Sequence, residues 1–143
     1  MRLISVVLGT ENDEARMRES QKLLSYGFRN YETKTLFEPG TSLQEQPIYY
    51  GEVEALPLGV AEDVIVTFPK GHYQDIDASI TVPSYLEAPI GKGDLLGSIE
   101  LRLGDEVIYT GNVVAQIDVE ESGWFAQFGD YISLMFNQSS VDE

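Results

Sequence analysis

The side chains able to perform covalent chemistry are few in this sequence. A serine nucleophile of the Ser-x-x-Lys type needs a lysine one helical turn further on to take up its hydroxyl proton. No serine here has a lysine at that spacing, and no Ser-x-Asn element occurs. The nearest approach to Lys-Thr-Gly is Lys34-Thr35-Leu36, in which leucine replaces the glycine. These residues therefore predict no acyl-transfer centre within the sequence.

The residues that ligate metals are equally scarce. The chain has no cysteine and one histidine, His72, so disulfides and thiolate metal sites are excluded. His72 lies in a Lys-Gly-His-Tyr sequence, which predicts a surface loop position. The paired carboxylates Asp75/Asp77 and Glu120/Glu121 are expected on the solvated surface of so acidic a chain. We therefore expect neither a metal nor another cofactor.

The charge balance limits the partners. The 143 residues include 9 basic and 24 acidic side chains, giving a formal net charge of −15. Nucleic-acid recognition needs a basic surface, and anionic lipid repels a protein of this charge. Nucleic acid is therefore excluded as a partner. No stretch approaches the ~20 apolar residues that span a bilayer.

A β-hairpin dominates the pattern between residues 95 and 111. Gly104-Asp105 suits a type II′ turn because glycine occupies the first central position. Apolar residues alternate with polar ones on both sides of this turn, at Ile99, Leu101, Leu103, Val107 and Tyr109. Alternation predicts strands with one buried face, and a hairpin half-buried in this way needs further strands to cover it.

The first thirty residues have a different texture. Leu3–Leu8 is a nearly unbroken apolar run, which predicts a strand buried on both faces. A helix is predicted from about residue 13 to residue 26, with Met17, Leu24 and Phe28 on one stripe and Gly27 as its stop signal.

Short alternating runs separated by Gly and Pro follow from Tyr31 onwards. They predict about seven strands, and therefore a mainly β chain with a small antiparallel sandwich or barrel. We place the boundary of this unit near Asn30-Tyr31. Besides the hairpin, the predicted strands are Glu32–Phe37, Pro47–Ala55, Asp63–Phe68, Ala78–Val82 and Asn112–Asp118.

Residues 119–143 return to a helical period. An aromatic-rich face is predicted at Trp124, Phe125, Phe128, Tyr131, Ile132, Met135 and Phe136. Such a helix suits either an interfacial membrane anchor or docking on the preceding domain. Membrane anchors normally have Lys or Arg on the polar face, and none occurs after Arg102. The residues leave both alternatives open.

Several segments together resemble one protein family. They are Met1–Thr10, Arg16–Leu24, Tyr26–Phe28, Ala88–Gly97 and Val119–Phe125. In this order they are similar to the C-terminal part of D-alanyl-D-alanine carboxypeptidases, the low-molecular-mass penicillin-binding proteins of the five and six group.

The resemblance implies three parts: residues 1–30 as the last strand and helix of a truncated α/β serine-peptidase domain, 31–118 as the β-rich second domain, and 119–143 as a membrane-associating helix. It implies a hydrolase family that trims D-alanine from peptidoglycan peptides in the periplasm, at the outer face of the inner membrane. The family's catalytic motifs lie upstream of the matching segments, so none is transferred. Arg16 matches the arginine that helps to hold the substrate carboxylate.

We therefore expect a platform and membrane-association module whose first partner is the missing catalytic domain. The Leu3–Leu8 strand is expected to seek a partner by forming a homo-oligomer, because its backbone edges are unpaired. The rival hypothesis is a free-standing β-module that binds glycan or protein through Tyr49, Tyr50, Tyr73 and Tyr85. A lipoyl-type carrier is rejected because Lys92 precedes its strand.

Overall fold

The computed structural model describes residues 1–123. Within them, one α-helix and eight strands follow one another, with a 3-10 turn at Tyr73–Asp75. Their bounds are α1 Asp13–Asn30, β1 Tyr31–Phe37, β2 Gln44–Tyr49, β3 Ala55–Val60, β4 Val64–Pro69, β5 Ile76–Thr81, β6 Leu86–Glu87, β7 Leu95–Leu103 and β8 Glu106–Ala115.

The strands form two sheets around one core. Strands β1 and β4 pair in a two-stranded antiparallel sheet, and the other six are ordered β5-β7-β8-β3-β2-β6. All pairings are antiparallel except that of β2 with β6. Both sheets contribute to a single buried cluster, in which the largest enclosed side chains are Phe68, Leu56, Leu58, Ile99, Leu101, Val64 and Val113. The predicted mainly β fold is confirmed.

The predicted hairpin is β7 and β8, which are joined by Gly104 and Asp105. Gly104 has a φ of +60°, as the first central residue of a type II′ turn requires. Ile99 and Leu101 are fully buried. The prediction for Val107 was wrong, because this side chain is exposed.

A β-bulge explains that error. Leu101 pairs with Tyr109 but Arg102 pairs with Val107, so one extra residue lies in β8. A bulge shifts the alternation by one position. Val107 therefore lies opposite Arg102, on the outer face of the sheet.

Helix α1 begins at Asp13, as the sequence predicts, and ends at Asn30, four residues beyond the predicted end at residue 26. The Asn12 side chain accepts a hydrogen bond from the Ala15 amide at 2.8 Å, which caps the first turn. Gly27 does not stop the helix. Instead, the Asn30 side-chain amide donates to the Tyr26 carbonyl at 2.8 Å, and the Lys70 amide donates to the Asn30 carbonyl at 2.8 Å. Two hydrogen bonds at Asn30, one of them from the distant Lys70, therefore fix the end of the helix in place of a glycine.

Leu3–Leu8 forms no strand, contrary to the prediction. Ile4, Val6 and Leu8 expose 81%, 76% and 87% of their surface. An apolar run becomes a doubly buried strand only when neighbouring strands offer backbone partners on both sides. The described residues supply none, although Leu3 rests against Gly27 of α1.

Two other strand predictions were also wrong. Pro47–Ala55 is divided between β2 and β3, because the chain turns at Tyr50, which has a φ of +61°. Asn112–Asp118 is not a separate strand, since β8 continues through Gly111 to Ala115.

Candidate functional site

Arg16 lies on the first turns of α1 with most of its side chain in solvent. Its Nη2 atom is 3.2 Å from Oδ1 of Asp13. Glu19, three residues after Arg16, accepts a hydrogen bond from Lys22 at 2.9 Å. That bond is the main reason why the pKa of Glu19 is lowered. Exposed ion pairs of this kind contribute little to stability, so Arg16 remains available to another partner.

An open depression of about 590 Å³ lies beside Arg16. Its apolar lining includes Met17 and Phe28, and Met17 exposes 73% of its surface. Helix α1 buries no side chain completely. A guanidinium next to this apolar stripe can bind a carboxylate, but the described residues place no nucleophile–base pair beside it.

His72 lies at the start of the 3-10 turn, and its side chain is largely exposed. Its Nδ1 atom is 2.7 Å from Oδ2 of Asp75, which orients the ring. Within residues 1–123, no three His, Asp or Glu side chains gather as a metal site would require. In the same region no helix combines the length and apolar character needed to cross a bilayer.

Residues 119–122, the last part of the described chain, lie beside the sheet edge formed by β2 and β6. The Ser122 amide donates to the Tyr50 carbonyl at 2.8 Å, and the amides of Ile90 and Val119 each bond the other's carbonyl at 2.9 and 2.8 Å. Gly51 and Glu121 form an isolated β-bridge. The start of the tail is therefore attached to the β-domain by backbone hydrogen bonds. The predicted membrane-association residues Trp124, Phe125, Phe128, Tyr131, Ile132, Met135 and Phe136 lie outside the described residues.

Of the four tyrosines that the rival hypothesis assigns to a binding surface, three lie together at this same edge. Tyr49 and Tyr85 stack with ring centroids 4.6 Å apart and planes inclined by 23°. Hydrogen bonding to Glu87, and then to Tyr50, raises the pKa of Tyr85 above its ordinary value. We call Tyr49, Tyr50, Tyr85 and Glu87 the tyrosine patch.

The fourth tyrosine, Tyr73, lies elsewhere. Its ring is 6.1 Å from that of Phe68, and the Lys34 ammonium lies 4.3 Å from its centroid. The structure therefore separates Tyr73 from the other three.

Sequence reasoning missed the cause of the grouping. In the parallel pair of β2 and β6, Tyr49 lies opposite Glu87, and Ile48 lies opposite Leu86. Because side chains alternate between the faces of a sheet, Tyr49, Tyr85 and Glu87 share the outer face while Ile48 and Leu86 are buried. A two-residue strand such as β6 gives no periodic signal in the sequence.

Known proteins share this sequence pattern and this fold. A profile of the family described as "Penicillin-binding protein 5, C-terminal domain" matches residues 31–121. The chain belongs to this family of C-terminal domains, found in penicillin-binding proteins of the D-alanyl-D-alanine carboxypeptidase type.

Individual relatives support the same family membership. The chain is 37% identical over 139 residues to D-alanyl-D-alanine carboxypeptidase DacC of Escherichia coli K12, covering 96% of this chain and 35% of the relative. It is 36% identical to DacA of the same organism, covering 96% of this chain and 34% of the relative. The crystal structure of penicillin-binding protein 5 from Haemophilus influenzae matches with a TM-score of 0.73 and 34% identity, over 80% of this chain and 34% of that chain. The chain thus spans about a third of the length of these relatives.

Proposed function

We propose that this chain is the platform and membrane-association part of a D-alanyl-D-alanine carboxypeptidase of peptidoglycan maturation. The proposal places it in the periplasm, at the outer face of the inner membrane. In this role the β-domain sets the distance and orientation of a peptidase domain, and the tail provides the contact with the membrane. The chain itself performs no acyl transfer.

One observation supports this role most directly. A β-domain with its own buried core adjoins a segment, residues 1–30, in which no apolar side chain is buried and most are exposed. Exposed apolar surface of this extent marks a site of contact with another folded unit. The curated relatives are about three times as long as the matched region, and their additional length is the source we propose for that unit.

The junction between α1 and the sheets supports the platform role, because several contacts fix the helix to the β-domain. The Lys70 ammonium donates to the Phe28 carbonyl at 2.9 Å, next to the Lys70 amide bond to Asn30. Tyr26 and Tyr31 pack edge to face at 6.4 Å across the helix–strand junction. These contacts hold α1 to the end of β4. In a complete enzyme, Arg16 is proposed to bind the substrate carboxylate from this helix.

Labelling with a fluorescent penicillin tests the catalytic part of the proposal. The chain is expected to form no covalent adduct, because acylation requires an activated serine. Intact DacC of Escherichia coli, run in parallel, is the positive control. A stable adduct on this chain would contradict the proposal.

Co-sedimentation with phosphatidylethanolamine vesicles tests the membrane role. The full chain is expected to pellet with the vesicles, and a chain ending at Gly123 to remain in solution. This end point keeps the hydrogen bonds that residues 119–122 make with the β-domain in the described part of the chain. The combined variant Phe128→Asp/Ile132→Asp should also lose binding, whereas Gln127→Ser on the predicted polar face should not. Equal pelleting of all four chains would remove the anchoring role.

A further inference from the structure

The tyrosine patch is solvent-accessible. Tyr49, Tyr50 and Tyr85 expose 48%, 48% and 49% of their surface. The Tyr85 ring stacks on Tyr49, and its hydroxyl interacts with Glu87 and Tyr50. The patch therefore presents aromatic surface, phenolic hydroxyls and a carboxylate within one small area.

The backbone beneath the patch is fixed on both sides. The Ala88 amide donates to the Tyr49 carbonyl at 3.0 Å, and the Ser122 amide donates to the Tyr50 carbonyl at 2.8 Å. The Glu52 amide donates to the Glu120 carbonyl at 3.2 Å. These bonds come from two distant segments of the chain, so the backbone that carries the rings is fixed before any ligand arrives. Such preorganisation reduces the entropic cost of binding.

Tyr50 adopts a conformation that disfavours its own side chain. Its φ of +61° is the only positive value among the described non-glycine residues. A residue with a Cβ pays a free-energy penalty in this region, and strained residues of this kind concentrate at functional sites. Glycine would take the same turn without the penalty. That a large aromatic residue occupies the position is consistent with a use for its ring.

Charge and size limit the ligand. Segments 44–56, 83–90 and 118–123 contain seven carboxylates and no Lys or Arg, so anionic ligands are repelled. Three half-exposed tyrosines offer about 300 Å². A stable protein interface needs about 800 Å² on each partner. One or two sugar rings match the smaller area.

We infer that the tyrosine patch binds an uncharged pyranose oligosaccharide. The apolar C–H faces of a pyranose ring pack against the tyrosine rings. The sugar hydroxyls donate to the Glu87 carboxylate and exchange hydrogen bonds with the phenolic groups, which both donate and accept. The proposed site uses none of the side chains assigned above to membrane association or to the contact with a peptidase domain.

A titration followed by amide NMR tests the inference on the full chain. The probes are N-acetylglucosamine tetramer and, as a second neutral saccharide, maltotetraose. Binding of at least one is expected, with shifts concentrated at residues 48–51 and 85–88. Tyr49→Ala and Tyr85→Ala should each weaken the affinity about ten-fold, the effect of losing one ring contact. Tyr26→Ala, which removes an exposed tyrosine from α1, should leave it unchanged.

Tyr50→Gly separates binding from folding. It should weaken saccharide affinity while the melting temperature stays equal or rises, because the strained φ is relieved. The inference is overturned if neither saccharide binds, or if binding survives both alanine variants. It is also overturned if only a tetra-arginine peptide binds, with strong salt dependence, because the patch would then recognise a basic protein partner.

Discussion

At the scale of single residues, the Tyr85–Glu87 contact is the most distinctive electrostatic feature of the described chain. An ionised carboxylate beside a phenol disfavours the phenolate, since two negative charges would lie together. Glu87 therefore holds the proton on Tyr85, and Tyr50 adds to the effect. The same carboxylate is the acceptor that the proposed saccharide would use.

Because of this contact, the stability of the fold should depend on the ionisation of Tyr85. The ordinary tyrosine pKa is 10.0, and folding raises that of Tyr85. Above pH 10 the unfolded chain has lost this proton while the folded chain keeps it. The free energy of unfolding should therefore fall as pH rises through this window, and the Tyr85 contribution is fully present below it.

Phenolate absorbance in the ultraviolet measures this effect. The difference between the titration curves of wild type and Tyr85→Phe should show one tyrosine that ionises at higher pH than the others. Glu87→Gln should return the pKa of Tyr85 towards 10.0. A Glu45→Gln variant serves as a control for the loss of one negative charge. If Tyr85 ionises with the bulk of the tyrosines, the contact is absent in solution.

At the scale of elements, the β7–β8 hairpin should contribute most to stability through its inner face. Ile99→Ala is expected to lower the free energy of unfolding by about 2–5 kcal/mol, because the side chain is fully buried and leaves a cavity. Val107→Ala, on the outer face of the same hairpin, should cost less than about 1 kcal/mol. Urea denaturation measures both. Equal losses would contradict the position of Val107 on the outer face of the sheet.

A second bulge lies at the start of β7, where Leu95 pairs with Val114 but Gly97 pairs with Val113, and it allows another test. A Cβ on Gly97 would overlap the Thr81 carbonyl oxygen and the Val82 side chain. Gly97→Ala should therefore destabilise the domain by about 2 kcal/mol or more, because the obstructing group is backbone. Gly91→Ala is the matched control, since its nearest neighbour would be an Asp94 carboxylate oxygen at 3.4 Å. Thermal unfolding of the two variants should differ clearly; similar melting temperatures would contradict the close approach of β5 and β7.

Local signals predicted the elements that local interactions determine. The hairpin followed from alternation and a Gly-Asp turn, and the predicted start of α1 near residue 13 is confirmed. The failures involve distant partners. Val107 depends on a bulge in the β7–β8 register, and the tyrosine patch depends on a parallel pairing across about 38 residues. Pattern along a strand cannot specify either one.

At the scale of the whole molecule, the uncovered apolar surface of residues 1–30 is the dominant feature. The predicted Leu3–Leu8 strand required neighbours, and without them its side chains lie in water. Unpaired backbone groups and exposed apolar side chains favour association with a second copy. Under the proposed function, a peptidase domain would cover this surface instead.

The isolated chain is therefore expected to self-associate through this segment. Sedimentation velocity over a range of concentrations should show a reversible dimer or larger species. Ile4→Lys/Val6→Lys should shift it to monomer, because two ammonium groups cannot be buried unpaired. Ser79→Lys/Thr110→Lys makes the same charge change on the exposed sheet surface, and should not alter association. Hydrogen exchange provides an independent measure: amides 3–8 should exchange more slowly as the concentration rises. A monomer at every concentration, with fast exchange there throughout, would show that these apolar side chains are tolerated in water and need no partner.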